Sequence, residues 1–259
     1  MLHNKLNMIE ILVLSLIQGI TEFLPVSSSS HLIIISNIFD FENNKLEIDV
    51  CLHIGSFFAV LVYFKEDIFN FLKTKELLIK ILISSIPVMI AGYIMVKFDL
   101  INQIRNIKVI GWTTLIFGIL LFFSDKNNTF NKIENNFTWK NAILIGLFQI
   151  LSLVPGVSRS GITITSARFL KFNRFDAAKI SFLLSIPTLA AVSVFGLNSM
   201  FNSGNLTFST SMLVSIIFSF LFSYITIKYF LKFISKSNLN IFVFYRIVLG
   251  SIILLIAYL

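Results

Sequence analysis

From residue 8 to residue 259 the chain is a train of apolar runs, and twice, 131 residues apart, the same kind of polar loop cuts into one. The first loop reads Gln18-Gly19-Ile20-Thr21-Glu22-Phe23-Leu24-Pro25-Val26-Ser27-Ser28-Ser29-Ser30-His31. The second reads Gln149-Ile150-Leu151-Ser152-Leu153-Val154-Pro155-Gly156-Val157-Ser158-Arg159-Ser160-Gly161. The offset carries Gln18 onto Gln149, Val26 onto Val157, Ser27 onto Ser158 and Ser29 onto Ser160. Irregular backbone inside an apolar run is tolerated only where protein or water satisfies its N–H and C=O groups. Ionisable groups at such depth mark functional sites by default.

Composition fixes the solvent. Hydrophobic residues make up 56% of the chain and charged residues 13%, against about 25% charged in a soluble domain. The apolar runs are long, and the alternating segments of about 10 residues that build a barrel are absent. An all-α integral membrane protein follows, a single membrane domain over residues 1–259. The net charge of +8 sits between the apolar runs. It is read as a topology signal and as contact with membrane lipid headgroups, compatible with an anionic substrate; nucleic acid is not expected as a partner. Cys51 is the lone cysteine, so no intrachain disulfide can form. The first apolar run ends at Pro25 without a small-residue cleavage site, and no removed signal peptide is expected.

The offset reaches beyond the loops. It pairs Leu16 with Leu147, Phe41 with Phe172, Leu52 with Leu183, Ser84 with Ser215, Tyr93 with Tyr224 and Lys97 with Lys228. Gap-free matches that include Ser, Tyr and Lys indicate duplication, over residues of roughly 8–124 and 139–255. Each half reads as one short broken hairpin (Ile9–Leu24 with Leu32–Phe39; Asn141–Val154 with Ile162–Leu170) and three spans. The spans are Asp49–Phe64, Leu77–Val96 and Val109–Phe123, then Lys179–Leu197, Met212–Phe230 and Ile241–Leu259. A re-entrant hairpin does not change sides and three transmembrane helices do. The halves must therefore lie oppositely oriented, as an inverted-topology repeat with its broken helices meeting near the midplane. The basic cluster Arg168, Lys171, Arg174 and Lys179 against the uncharged stretch Met200–Thr210 puts that stretch and the C-terminus outside. The connection Lys97–Lys108, with three basic residues, fits that orientation poorly.

The loops carry chemistry suited to an oxyanion. Pro155-Gly156 permits a sharp turn. Ser158, Ser160 and Thr163 then open a helix, either as caps or as donors to an anion. Arg159 offers a planar fork for phosphate oxygens. At membrane depth it needs an anionic partner, which Glu22 or a phosphorylated ligand can supply. Gln18 and Glu22, four apart, share a helical face. Glu22, Ser28 and His31 supply an acid, a hydroxyl and a titratable base, sufficient for attack on phosphorus. A capped turn at residues 27–30 and an interfacial His31 are the plainer alternative. Arg246 is a second cation in apolar surroundings, a partner for Glu10, Asp49 or a carbonyl, or else a substrate contact.

Both loops resemble the two signatures of the undecaprenyl-pyrophosphate phosphatases of the bacitracin-resistance (BacA/UppP) type. The first is Gln18 to His31. The second is Pro155-Gly-Val-Ser-Arg-Ser-Gly-Ile-Thr163, and Leu52-His53-Ile54-Gly55-Ser56 and Phe182 to Pro187 agree as well. The resemblance implies a multi-pass enzyme of the bacterial inner (plasma) membrane. It would remove the terminal phosphate of a C55 polyprenyl diphosphate, regenerating the carrier for peptidoglycan synthesis and conferring bacitracin resistance. It casts Ser28 as nucleophile, Glu22 and His31 as essential groups, and Arg159 as the phosphate clamp. Ser27, Ser29, Ser158, Ser160 and Thr163 become phosphate-binding residues. It also implies a divalent cation, Mg²⁺ or Ca²⁺, on Gln18 and Glu22, and is compatible with a homodimer. Three departures stand out. Gln18 replaces a common glutamate, leaving one carboxylate and an amide oxygen, which hard cations accept. Ser29-Ser30 replaces a usual Thr-Gly, so the turn must avoid positive φ or bear strain. His53 replaces a common glutamine and is read as a hydrogen-bonding residue of the bundle interior. The competing reading is a transporter, a polyprenyl-phosphate flippase using the same anion site, because broken inverted repeats are typical of secondary transporters.

Overall fold

The computed structural model describes residues 8–28, 30–32, 35, 45–127, 129–202 and 209–259. Among these the chain forms twelve α-helices and no strand. They are α1 (Met8–Thr21), α2 (Lys45–Tyr63), α3 (Lys65–Thr74), α4 (Glu76–Lys97), α5 (Leu100–Ile104) and α6 (Ile107–Asp125). The second half follows with α7 (Ile133–Asn136), α8 (Trp139–Gln149), α9 (Arg159–Phe169), α10 (Arg174–Asn202), α11 (Thr210–Ile234) and α12 (Asn240–Tyr258). Helices α4, α6, α10, α11 and α12 are long and apolar enough to cross a membrane, so this is an all-α, multi-pass membrane protein. Helix α2, expected as a span, carries Glu47 and Asp49 in its first turns and falls outside that group. The short α3, α5 and α7 were not visible in the apolar pattern. Most of the expected segment Leu32–Phe39 lies outside the described residues.

Helix boundaries follow local chemistry. The side chains of Asn106, Thr138 and Ser209 accept backbone N–H bonds at the starts of α6, α8 and α11. Helix α10 begins five residues before its expected start, because its charged first turns are paired rather than solvated. Arg174 binds Asp125 through two nitrogens at 2.8 and 3.0 Å, Lys179 reaches Asp67 at 2.6 Å, and Asn173 caps the Asp176 N–H at 2.9 Å. Pro87 and Pro187 sit inside α4 and α10, as membrane helices allow.

The helices pack through small and hydroxylated residues, as expected where lipid removes the hydrophobic drive between them. Ser56 on α2 bonds Ser219 and Ser223 on α11 at 3.2 and 2.9 Å, and the Ser219 hydroxyl donates to the Leu52 carbonyl at 2.6 Å. Gly146 lets α8 lie directly on the Ser84 carbonyl of α4, where a Cβ would collide. Helix α1 packs on α11, the second of the three long helices α10, α11 and α12, and α8 packs on α4. Helices α6 and α12 pair with each other, as do α2 and α10. Behind the loops lies an aromatic core in which Phe23 meets Phe182 edge-on at 5.3 Å, and Phe182 in turn touches Phe64 and Phe230. Large apolar side chains such as Ile90, Val194 and Leu255 face outward, as a lipid-facing surface requires.

Candidate active site

Both loops turn through residues that strain the backbone. Ser27 has φ of 77° and Ser158, 131 residues later, has φ of 71°. A non-glycine residue held there costs on the order of 1–3 kcal/mol and persists only if its surroundings over-determine it. At Gly156 φ is 92°, and a Cβ would strike the Thr113 hydroxyl, which itself donates to the Pro155 carbonyl at 2.6 Å. The expected Pro-Gly turn is therefore present and pinned from α6. Past it, Ser158 caps α9 by accepting the Gly161 N–H at 3.1 Å.

The loops meet at one ion pair. Arg159 Nη2 lies 2.8 Å from Glu22 Oε1, and Arg159 Nη1 donates to the Ser181 carbonyl at 3.2 Å. The Ser28 hydroxyl donates to Glu22 Oε2 at 2.7 Å, and the Gln18 amide reaches the same oxygen at 3.2 Å. A second bond crosses between loops, from the Ser160 hydroxyl to the Leu24 carbonyl at 2.7 Å. The carboxylate is thus held by a guanidinium, a hydroxyl and an amide, with 7% of its side chain exposed. A buried pair of this kind is weak evidence for stability, since desolvation offsets most of its attraction. What it offers chemically is a cation, a base and a nucleophilic hydroxyl within one hydrogen-bonded set.

Arg246 locks the two tips together from α12. Its guanidinium is fully buried and donates to four carbonyls: Pro25 at 3.2 Å, Val157 at 3.1 Å, Gly156 at 2.9 Å and Thr114 at 3.2 Å. Of the partners open in the sequence, carbonyls are the ones found. The adjacent Tyr245 stacks on His31 at 5.8 Å and bonds its Nε2. A carbonyl can only accept, so His31 Nδ1–H donates to the Ser27 carbonyl at 2.6 Å and Nε2 accepts from the Tyr245 hydroxyl.

Residues 11–252 match the family model described as Bacitracin resistance protein BacA. The chain belongs to that family. A relative from Pelagibacter ubique (strain HTCC1062), named Undecaprenyl-diphosphatase, is 51% identical over 97% of this chain and 98% of its own length. Relatives of the same name from Hahella chejuensis (strain KCTC 2396) and Aliivibrio salmonicida (strain LFI1238) are each 40% identical. They cover 94% and 93% of this chain, and 96% and 95% of their own lengths.

Of the residues singled out in this BacA-family sequence, Gln18, Glu22, Ser28 and Arg159 form one connected cluster. Ser27 and Ser158 hold the strained turns, and the Ser27 hydroxyl bonds that of Ser30 at 3.0 Å. Ser29 lies outside the described residues. Ser160 and Thr163 spend their hydroxyls as donors to protein acceptors; that of Thr163 reaches the Arg159 carbonyl at 2.8 Å and Ser181 Oγ at 2.7 Å, and the cap of α9 is neither of them but Ser158. His53 Nδ1–H donates to the Asp49 carbonyl at 2.7 Å, the bundle-interior role expected of it. Ser181 and Tyr245 were missed, because one serine or tyrosine on an apolar helix carries no signal by itself. Among the described residues, no three His, Cys, Asp or Glu side chains gather as a metal cluster.

Proposed function

We propose that this BacA-family chain is an undecaprenyl diphosphatase of the bacterial plasma membrane. It hydrolyses the C55 polyprenyl diphosphate to the monophosphate carrier and inorganic phosphate. The observation that carries the reading is the Glu22–Arg159 pair at 2.8 Å with Ser28 hydrogen-bonded to the same carboxylate; the names of the relatives point the same way. A phosphate oxyanion can take the place of Glu22 on Arg159 like for like. Arg159 Nη1 stays on the Ser181 carbonyl while Nη2 turns to the terminal phosphoryl group, neutralising the charge that dominates such reactions. Glu22, released, accepts the proton from Ser28. Either the Ser28 oxygen attacks the terminal phosphorus as the bond to the bridging oxygen breaks, the prenyl monophosphate leaves and water then hydrolyses the phosphoserine to inorganic phosphate, or a water that Ser28 orients attacks and gives both products in one step. His31, with both nitrogens engaged, holds the Ser27 turn in shape for this step.

A divalent cation, Mg²⁺ or Ca²⁺, fits this donor set in one respect: Gln18 Oε1 is buried and has no hydrogen-bond partner among the described residues. Gln18 and Glu22 would hold it together with substrate oxygens, and it would supply further neutralisation of phosphate charge. The first isoprene units of the prenyl tail take the apolar groove of about 340 Å³ between α4 and α10, whose wall includes Leu153 just before the second tip, and the rest of the tail lies in lipid. Duplication over about 8–124 and 139–255 with opposed orientation is part of the proposal. The exchanged packing of α1 on α11 and α8 on α4, and the matched positive φ at Ser27 and Ser158, support it.

The test is phosphate release from a prenyl diphosphate by the purified chain in detergent, where no compartments exist. Arg159→Ala and Ser28→Ala are expected to lose at least a hundredfold. Near-normal rates in both, or no release by the parent chain as for a pure carrier, would overturn the assignment.

A further inference from the structure

We propose a second anion site, at the far end of α9 from the active site, that holds the phosphate group of an anionic phospholipid. Arg168 lies nine residues after Arg159, about 13 Å along the helix. It helps to wall a cavity of about 750 Å³ between the ends of α6, α9 and α11 and the start of α10. Four basic residues line this cavity, Lys126, Arg168, Arg174 and Lys236, against the single carboxylate of Asp125; the Lys126 ammonium lies over the Phe122 ring at 4.2 Å, and the Arg168 terminal nitrogens donate to the Phe172, Asp125 and Asn127 carbonyls.

That carboxylate is already fully engaged. Its Oδ1 accepts from Arg174 Nε at 2.8 Å and lies 3.1 Å from Arg168 Nε as an ion pair without a hydrogen bond. Its Oδ2 takes Arg174 Nη2 at 3.0 Å and the Leu239 N–H at 3.1 Å. Asp176 is not among the lining residues and accepts from the amide of Asn173, which is, at 2.6 Å. Neither Lys126 nor Lys236 has a carboxylate within ion-pair distance among the described residues. Lysines that only set topology stand apart in water. Here two of them line one walled space with two arginines, and Thr129 and Ser237 line it as well.

The chemistry named is a phosphate oxyanion, and the rim indicates its source. Phe130 and Phe175 line the same cavity and are 75% and 39% exposed, apolar surface of use to an acyl chain and of none to free phosphate. Basic pockets between membrane helices recognise anionic headgroups by this combination.

The experiment titrates the full-length chain in detergent with phosphatidylglycerol and, separately, with phosphatidylcholine of the same acyl chains. Bound lipid is counted by native mass spectrometry. The parent chain should take up one phosphatidylglycerol at a concentration about tenfold below that needed for phosphatidylcholine. Lys126→Gln/Lys236→Gln should erase that preference while leaving phosphate release unchanged, since neither lysine is near Glu22 or Arg159. Inorganic phosphate at millimolar concentration should not displace the lipid. Equal uptake of the two lipids, or an unaltered preference in the double variant, would overturn the site. Displacement by inorganic phosphate would overturn the lipid as its ligand.

Discussion

Replacing Arg246 by methionine isolates what the buried clamp does. The methionine stem fills much of the same space but donates nothing. Thr114 lies within α6, where the helix supplies its carbonyl with another donor. The carbonyls of Pro25, Gly156 and Val157 lie in the two loops and would lose the guanidinium together. A buried acceptor left unpaired costs about 1–3 kcal/mol. Part of that loss is returned, because a charge buried without a carboxylate is itself expensive. The balance is a destabilisation of about 3 kcal/mol, concentrated in the loops rather than spread over the bundle. Activity should suffer more than stability. Once the tips separate, Glu22 and Arg159 no longer share one geometry, and misplacement by about 1 Å can reduce a rate a hundredfold. The assay is paired: thermal unfolding of the purified variant, and phosphate release at a temperature well below its midpoint. Arg246→Lys should recover part of the stability and little of the rate, since one ammonium cannot span three carbonyls in the plane of a guanidinium. An Arg246→Met chain with an unchanged midpoint and ordinary turnover would show that the loops are held by other means.

Glu22→Gln keeps the size of the side chain but removes the base and the charge opposite Arg159; phosphate release should drop by 10²–10⁴-fold with the chain still folded. Gly146→Ala drives a methyl group into the Ser84 carbonyl and should cost about 1–3 kcal/mol by forcing α8 off α4, read as a lowered unfolding midpoint. Ser27→Gly should move the other way, raising the midpoint by relieving a positive φ of 77°, while slowing hydrolysis because the loop is no longer held in one conformation. A midpoint that falls in Ser27→Gly would show that the turn is not strained.

The apolar runs made the long helices legible, because lipid forces every backbone group into the helix and leaves composition to report its length. The ends were less legible. Helix α10 starts early because Arg174 finds Asp125, 49 positions before it, and no local pattern announces such a pair. The Glu22–Arg159 bond could be anticipated, since a guanidinium at that depth requires an anion and the repeat pointed to the other loop. Arg246 was visible as a cation out of place. Its four carbonyl partners were not, because carbonyls are identical in every residue and only the fold selects among them.

The two central arginines thus answer opposite demands. Arg159 is paired with a carboxylate and 13% exposed, so in the proposed mechanism an arriving phosphate exchanges one anion for another at little electrostatic cost. Arg246 is fully buried on neutral carbonyls from both loops, and nothing with a charge can replace them without dismantling the tips. Swapping the arrangements would fail on each side: a clamp held by a carboxylate could be drawn off by substrate, and the cation proposed to bind phosphate, if held by four carbonyls, could not let go. The division predicts that Arg159→Ala reduces turnover far more than it reduces the unfolding midpoint, while Arg246→Met lowers both. Equal stability losses in the two variants would remove the distinction.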